Sequence, residues 1–195
     1  MTTILAIKKD NKVVIGADTL TKFGSQKENA ILVKNPSKLV QIHDNYFGVT
    51  GSASWPFLLR SYFLKALDRV PDFSNTQSIF EEMDIFHHYL KTDKYLIPTS
   101  GSDNEFESSH MVMLIVNNHG IFGVYPFRQI IQYNDFMAIG SGDRYALGAI
   151  NVLINTELSA YEIAKSALET AAFFDDSTMA PFEFVELELE GSSTI

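Results

Sequence analysis

Met1 is followed by Thr2, and a threonine in second position is small enough for ordinary methionine removal to leave it at the chain terminus. A terminal threonine carries a hydroxyl and a free α-amine, of pKa about 7.7–8, on one residue. The amine can therefore take the proton of its own hydroxyl and activate a weak nucleophile for attack on a carbonyl. Many chains begin Met-Thr, so the pair means little without partners. Two are within reach. Asp18 ends the run Val13-Val14-Ile15-Gly16-Ala17-Asp18, which pairs back onto the run beginning at Thr2 and brings a carboxylate near the terminus. Lys38 opens the run Leu39-Val40-Gln41-Ile42, and a lysine aimed at Asp18 and Thr2 would stay charged and lower the proton affinity of amine and hydroxyl. The bland alternatives are a turn-capping aspartate and a strand-edge surface lysine.

Other chemistries lack their residues. The chain has no cysteine, which removes disulfides, thiolate metal sites and a cysteine nucleophile. It contains no zinc-protease helix motif, no phosphate-binding Gly-rich Lys-Ser/Thr loop and no Gly-x-Ser-x-Gly elbow; Gly140-Ser141-Gly142 lacks that spacing. His87 and His88 are adjacent on an expected helix and point about 100° apart, so they cannot chelate one ion and read as surface and rim histidines.

The elements that must position these groups follow from periodicity. Thr2–Lys8 and Lys12–Asp18 read as a hairpin around Asp10-Asn11, and Lys38–Ile42 and Tyr46–Thr50 as a second strand pair. Residues 19–37 read as mostly loop. Trp55, Leu58, Leu59, Tyr62, Phe63, Ala66, Leu67 and Val70 follow a helical period, with Ser54 as N-cap and Pro56 in the first turn. A second helix is expected from Thr76 to about Lys94, and a surface loop over 97–109. Strands return at Met111–Val116, Ile121–Tyr125, Gln129–Tyr133 and Phe136–Ile139. Helices follow at Tyr145–Ile154 and Ser159–Phe174, the latter opened by the capping box Ser159-Ala160-Tyr161-Glu162. The final strand, Phe182–Glu190, alternates Phe182, Phe184, Glu186 and Glu188 against Glu183, Val185, Leu187 and Leu189. Helix pairs flanking two antiparallel sheets make an α+β, four-layer αββα sandwich, with 1–195 as a single domain.

Composition agrees with a globular chain: 195 residues, 46% apolar and 20% charged. No apolar run approaches the ~18 residues of a transmembrane helix, and the basic residues follow the first apolar stretch, the reverse of a signal peptide. A formal charge of −9 argues against nucleic acid, which needs a basic patch. Lys8-Lys9-Asp10-Asn11-Lys12 is basic but short and reads as a solvated turn. The expected compartment is the cytoplasm.

Thr2-Thr3-Ile4, the Val-Val-Ile-Gly-Ala-Asp strand, Ser37–Ile42, Phe47-Gly48-Val49-Thr50-Gly51-Ser52-Ala53 and Ala138–Ala146 together resemble proteasome β-subunits. Asn155–Ala160, Glu162-Ile163-Ala164 and Ala167-Leu168 are similar to a helix of the bacterial heat-shock proteasome-like peptidase. Glu107-Ser108-Ser109 and His119–Tyr125 resemble segments of the bacterial proteasome homologues. Each motif is loose alone, but they run over nearly the whole chain in order.

The resemblance implies Thr2 as nucleophile, Asp18 as buried carboxylate, Lys38 as the tuning lysine and Gly48 as the oxyanion N–H donor, a kind of donor worth about 10²–10³ in rate. It further implies Ser141 as partner of the terminal amine, Asp175 and Thr178 as a supporting Asp-x-x-Ser with Thr for Ser, and Tyr46 and Thr21 as substrate contacts. The family spacing from aspartate to lysine lands on Lys34, the alternative to Lys38; Gly51 is the alternative to Gly48. The implied activity is that of a threonine-type endopeptidase that forms an ester on Thr2 and hydrolyses it with water, using no cofactor or metal. Implied partners are further copies in stacked hexameric or heptameric rings, unfolded polypeptide substrates and an ATPase unfoldase, with no nucleic acid and no membrane. A small-amide hydrolase of the same class and a silent scaffold subunit are the rival readings; a retained Met1 would favour the scaffold.

Overall fold

The computed structural model describes residues 2–98 and 105–190, so Met1 and the tip of the expected 97–109 loop lie outside the described residues. β1 (Thr3–Lys9) and β2 (Lys12–Asp18) form a hairpin whose turn residues Asp10 and Asn11 have φ of 51° and 61°, the left-handed pair whose twist suits a two-residue connection. β10 (Phe136–Gly140) flanks β1, and β11 (Phe182–Glu188) flanks β2, giving an antiparallel sheet ordered β10-β1-β2-β11. The second sheet runs β5 (Leu39–Ile42), β6 (Asn45–Thr50), β7 (Val112–Asn117), β8 (Gly120–Val124) and β9 (Ile130–Tyr133) in sequence order. Between β2 and β5 along the chain lies a small separate hairpin of β3 (Thr21–Phe23) and β4 (Gln26–Glu28), within the span expected to be mostly loop.

Alternation along β1 and β2 sends side chains to two different cores. Leu5, Ile7 and Val14 meet α3 (Asp143–Leu153) and α4 (Ala160–Phe174) on one face. Ile4, Ala6, Val13 and Ile15 meet Leu39, Leu114, Val116 and Ile121 of the facing sheet. A third core joins the second sheet to α1 (Trp55–Ser61), a π-helical turn (Tyr62–Ala66) and α2 (Thr76–Asp93) through Phe47, Phe63, Phe73, Phe86 and Phe122. The layers are α, β, β, α, as the periodicity predicts.

Several local expectations change. The helix read as reaching Val70 ends in the π turn, and Leu67 is already extended. Tyr62 and Phe63, though adjacent, are both buried, and the wider turn admits both rings to one core. Ser54 makes no side-chain cap, its backbone being itself helical; Ser52 Oγ instead accepts from Ser54 N. Lys9 is not merely solvated, because its Nζ donates to the Thr156 and Leu158 carbonyls. His87 is buried under Glu107, and Ser108 and Ser109 are buried too, so that part of the expected loop is packed. Ser159 and Glu162 do form the reciprocal capping box. Ser159→Ala is expected to lower stability by about 1 kcal/mol, read as a shifted denaturation midpoint with unchanged slope.

Candidate active site

Thr2 and Thr3 enter β1 at the end of the sheet where β2 finishes, so the hairpin register alone sets Asp18 beside the terminus. Asp18 is fully buried and its Oδ1 gathers three donors: Thr2 Oγ1 at 2.7 Å, Thr3 N at 2.9 Å and Lys38 Nζ at 2.7 Å. Its other oxygen accepts from Leu20 N at 3.0 Å, which turns the chain away after β2. Burial pushes the Lys38 ammonium below the usual lysine range, while Asp18, Glu183 and Asp175 pull it back up. Lys34, the alternative lysine, is exposed and pairs with none of these groups.

On the other side of Thr2, Ser141 N donates to the Thr2 carbonyl at 2.8 Å. Gly140 permits this approach: it has φ of 109°, and a Cβ there would collide with that carbonyl. Ser141 Oγ donates to Asp175 Oδ2 at 2.7 Å and lies 3.4 Å from Thr2 O; Thr178 Oγ1 donates to the same Asp175 oxygen at 2.6 Å. Asp175 is the C-cap of α4, so a helix end delivers this second carboxylate. Thr178 in turn shares a 2.5 Å hydroxyl contact with Thr3.

A cleft of about 680 Å³, large enough for an extended segment of substrate, opens in front of Thr2 and Lys38. Leu20, Val49 and Phe57 supply apolar walls, and Thr21, Gly51 and Ser52 lie along it. Of the residues expected to meet substrate or its oxyanion, Gly48 and Tyr46 are absent from its lining. Gly48 sits in the middle of β6, where a Cβ would meet Ile4 at 2.5 Å, so its bareness serves sheet packing. Val49 N bonds the Lys38 carbonyl across to β5, and alternation along the strand therefore sends the Gly48 N–H to β7, away from Thr2. Gly51, with φ of 99°, breaks the strand at the cleft and leaves its N–H outside the ladder. Tyr46 packs against the core between the sheets. Sequence reasoning passed over Glu183, whose Oε1 accepts from Lys38 N at 2.6 Å and Leu39 N at 3.2 Å. The signal was present: a carboxylate on the apolar face of the β11 alternation.

A hydroxyl at a chain start, a buried carboxylate–ammonium pair and a bordering cleft can together support acyl transfer without a metal. The architecture is that of the N-terminal-nucleophile hydrolases of proteasome type. No protein-family model matches the chain. It is 30% identical over 175 residues to the ATP-dependent protease subunit HslV of Caldicellulosiruptor saccharolyticus, covering 88% of this chain and 89% of that protein. Thiobacillus denitrificans BPH in complex with epoxomicin superposes with a TM-score of 0.89 at 37% identity, covering 96% of this chain and 98% of that one. HslV of Trypanosoma brucei, at 22% identity and a TM-score of 0.70 over 95% of this chain and 99% of that one, shares the fold. The chain belongs to the HslV family of bacterial proteasome-like hydrolases. It is a threonine-type peptidase.

Proposed function

We propose that this chain, acting as one domain in the cytoplasm, cleaves unfolded polypeptides through Thr2 inside a ring of its own copies. Removal of Met1 frees the α-amine, which takes the Thr2 hydroxyl proton as Oγ1 attacks a peptide carbonyl and returns it to the leaving amine. Gly51 N–H, rather than Gly48, faces the developing oxyanion. An ester on Thr2 forms, and water then attacks it with the amine again as base. Lys38 stays protonated and favours the ionised form of the hydroxyl, Asp18 holds Lys38 and Thr2 in register, and Ser141, Asp175 and Thr178 orient the terminus. Thr21 offers backbone to an extended substrate, and Tyr46 has no direct part in binding it. The observation that carries this reading is the convergence of Thr2 Oγ1 and Lys38 Nζ on one oxygen of a buried aspartate.

Stacked hexameric or heptameric rings would hide the clefts from folded proteins. An exposed aromatic patch on α3 and α4, with Tyr145 stacked on Phe174 at 5.2 Å beside Phe173, supports self-association. The Caldicellulosiruptor relative is named as a subunit of an ATP-dependent protease, which supports an ATPase partner here. Size-exclusion chromatography with light scattering, assayed fraction by fraction on a short fluorogenic peptide, tests the proposal. Peptidase activity should elute with the assembly. Activity in a monomer peak would indicate a small-amide hydrolase instead, and a silent assembly a scaffold.

A further inference from the structure

We propose that Glu183 of β11 is a positioning residue for Lys38, clamping the backbone that carries it and adding a negative charge that keeps it protonated. The inference rests on the reading of Lys38 above and adds a residue to it. Glu183 shares the face of β11 with Val185, Leu187 and Leu189, which pack in the core between the two sheets. Burial raises the Glu183 carboxyl above its ordinary value, so a charged group here is costly and calls for a compensating duty.

Its contacts supply one. Lys38 N and Leu39 N are the donors at the start of β5, where the edge strand leaves the preceding irregular segment. Both bond one oxygen of Glu183, which reaches across from the other sheet. Two successive backbone donors are thus held by a single side chain, and Ser37 Oγ closes the same turn by donating to the Leu39 carbonyl. The residue so fixed is the one whose Nζ must reach Asp18 Oδ1 at 2.7 Å. Without the clamp, the segment before β5 would be tethered to the first sheet at this point chiefly by the lysine's own tip.

The charge has a separate effect. Lys38 faces Asp18 from β2, Glu183 from β11 and Asp175 from the end of α4, and all three favour its protonated form against the burial that opposes it. Removing the Glu183 charge while keeping its shape should therefore let Lys38 lose its proton at lower pH.

Two substitutions separate clamp from charge. Glu183→Gln keeps an acceptor oxygen for Lys38 N and Leu39 N, whereas Glu183→Ala removes it. The full assembled protein would be assayed for kcat, KM and the pH dependence of kcat on a fluorogenic peptide, with assembly verified by light scattering. For Glu183→Ala the expected result is a fall in kcat of about 10- to 100-fold with KM within about twofold, as for an interaction made through the catalytic group. Glu183→Gln should keep most of the neutral-pH rate, with the alkaline limb moved down by roughly half to one pH unit. An assembled Glu183→Ala enzyme with wild-type kcat would overturn the proposal. So would an alkaline limb unmoved in Glu183→Gln, because a purely structural carboxylate would not tune Lys38. A wild-type assembly without peptidase activity would instead remove the underlying reading.

Discussion

Thr2→Ala is expected to reduce peptide hydrolysis by at least about 10³-fold without unfolding the protein. The substitution removes the hydroxyl that would attack, so no acyl intermediate can form on this residue. Fold and assembly should persist, because the contacts that seat the terminus are mostly backbone: Thr3 N to Asp18 and Ser141 N to the Thr2 carbonyl. Oγ1 itself contributes one hydrogen bond, to an aspartate that keeps three other donors. Steady-state rates on a fluorogenic peptide, with circular dichroism melts of both proteins, would measure both halves. Thr2→Ser should recover a substantial part of the rate, since it restores the hydroxyl beside the same amine.

The second large effect is at Lys38. Lys38→Met preserves the stem and removes the cation, and it should lower kcat by about 10²–10³-fold, the range of losing an electrostatic donor at a reacting centre. The pH profile gives the sign. Activity rises as the α-amine loses its proton, because the amine is then a base. It falls as Lys38 loses its own, because the neutral lysine no longer favours the ionised hydroxyl. Burial lowers the Lys38 pKa, so that alkaline limb lies below the ordinary lysine value of about 10.4. In Lys38→Met the limb should vanish along with most of the rate. Lys38→Arg should not rescue, since a planar fork cannot occupy the point-charge position at Asp18 Oδ1. A variant with near wild-type kcat would show that the cation has no part in the chemistry.

Much of this arrangement could be read from the chain because it follows from short-range rules. The Asp10-Asn11 turn sets the β1–β2 register, and the register sets Asp18 near Thr2. The capping box at Ser159 fixes the start of α4, whose far end presents Asp175. What escaped depended on three-dimensional neighbours. Gly48 lies within β6 and Gly51 just past its end, three positions on, and only the pairing of β6 with both β5 and β7 shows which N–H is already engaged. Tyr46 is similar: strand position is legible, but the face it presents to the facing sheet is not. The β3–β4 hairpin has few apolar residues and no alternation, so it looked like loop; it is tied down by Lys22 donating to Asp176 at 2.6 Å. The π turn arises from two adjacent aromatics competing for one core, a packing conflict that periodicity cannot express.

The central claim is that an N-terminal threonine is the working nucleophile. Its most direct test is the intact mass of the purified protein before and after incubation with a peptide epoxyketone, a warhead that needs both the hydroxyl and the free amine of one residue. The expected result is a mass lacking one methionine and a single inhibitor adduct per chain, absent in Thr2→Ala. A mass that retains Met1 with no adduct would contradict it, and would make the chain a silent member of its assembly.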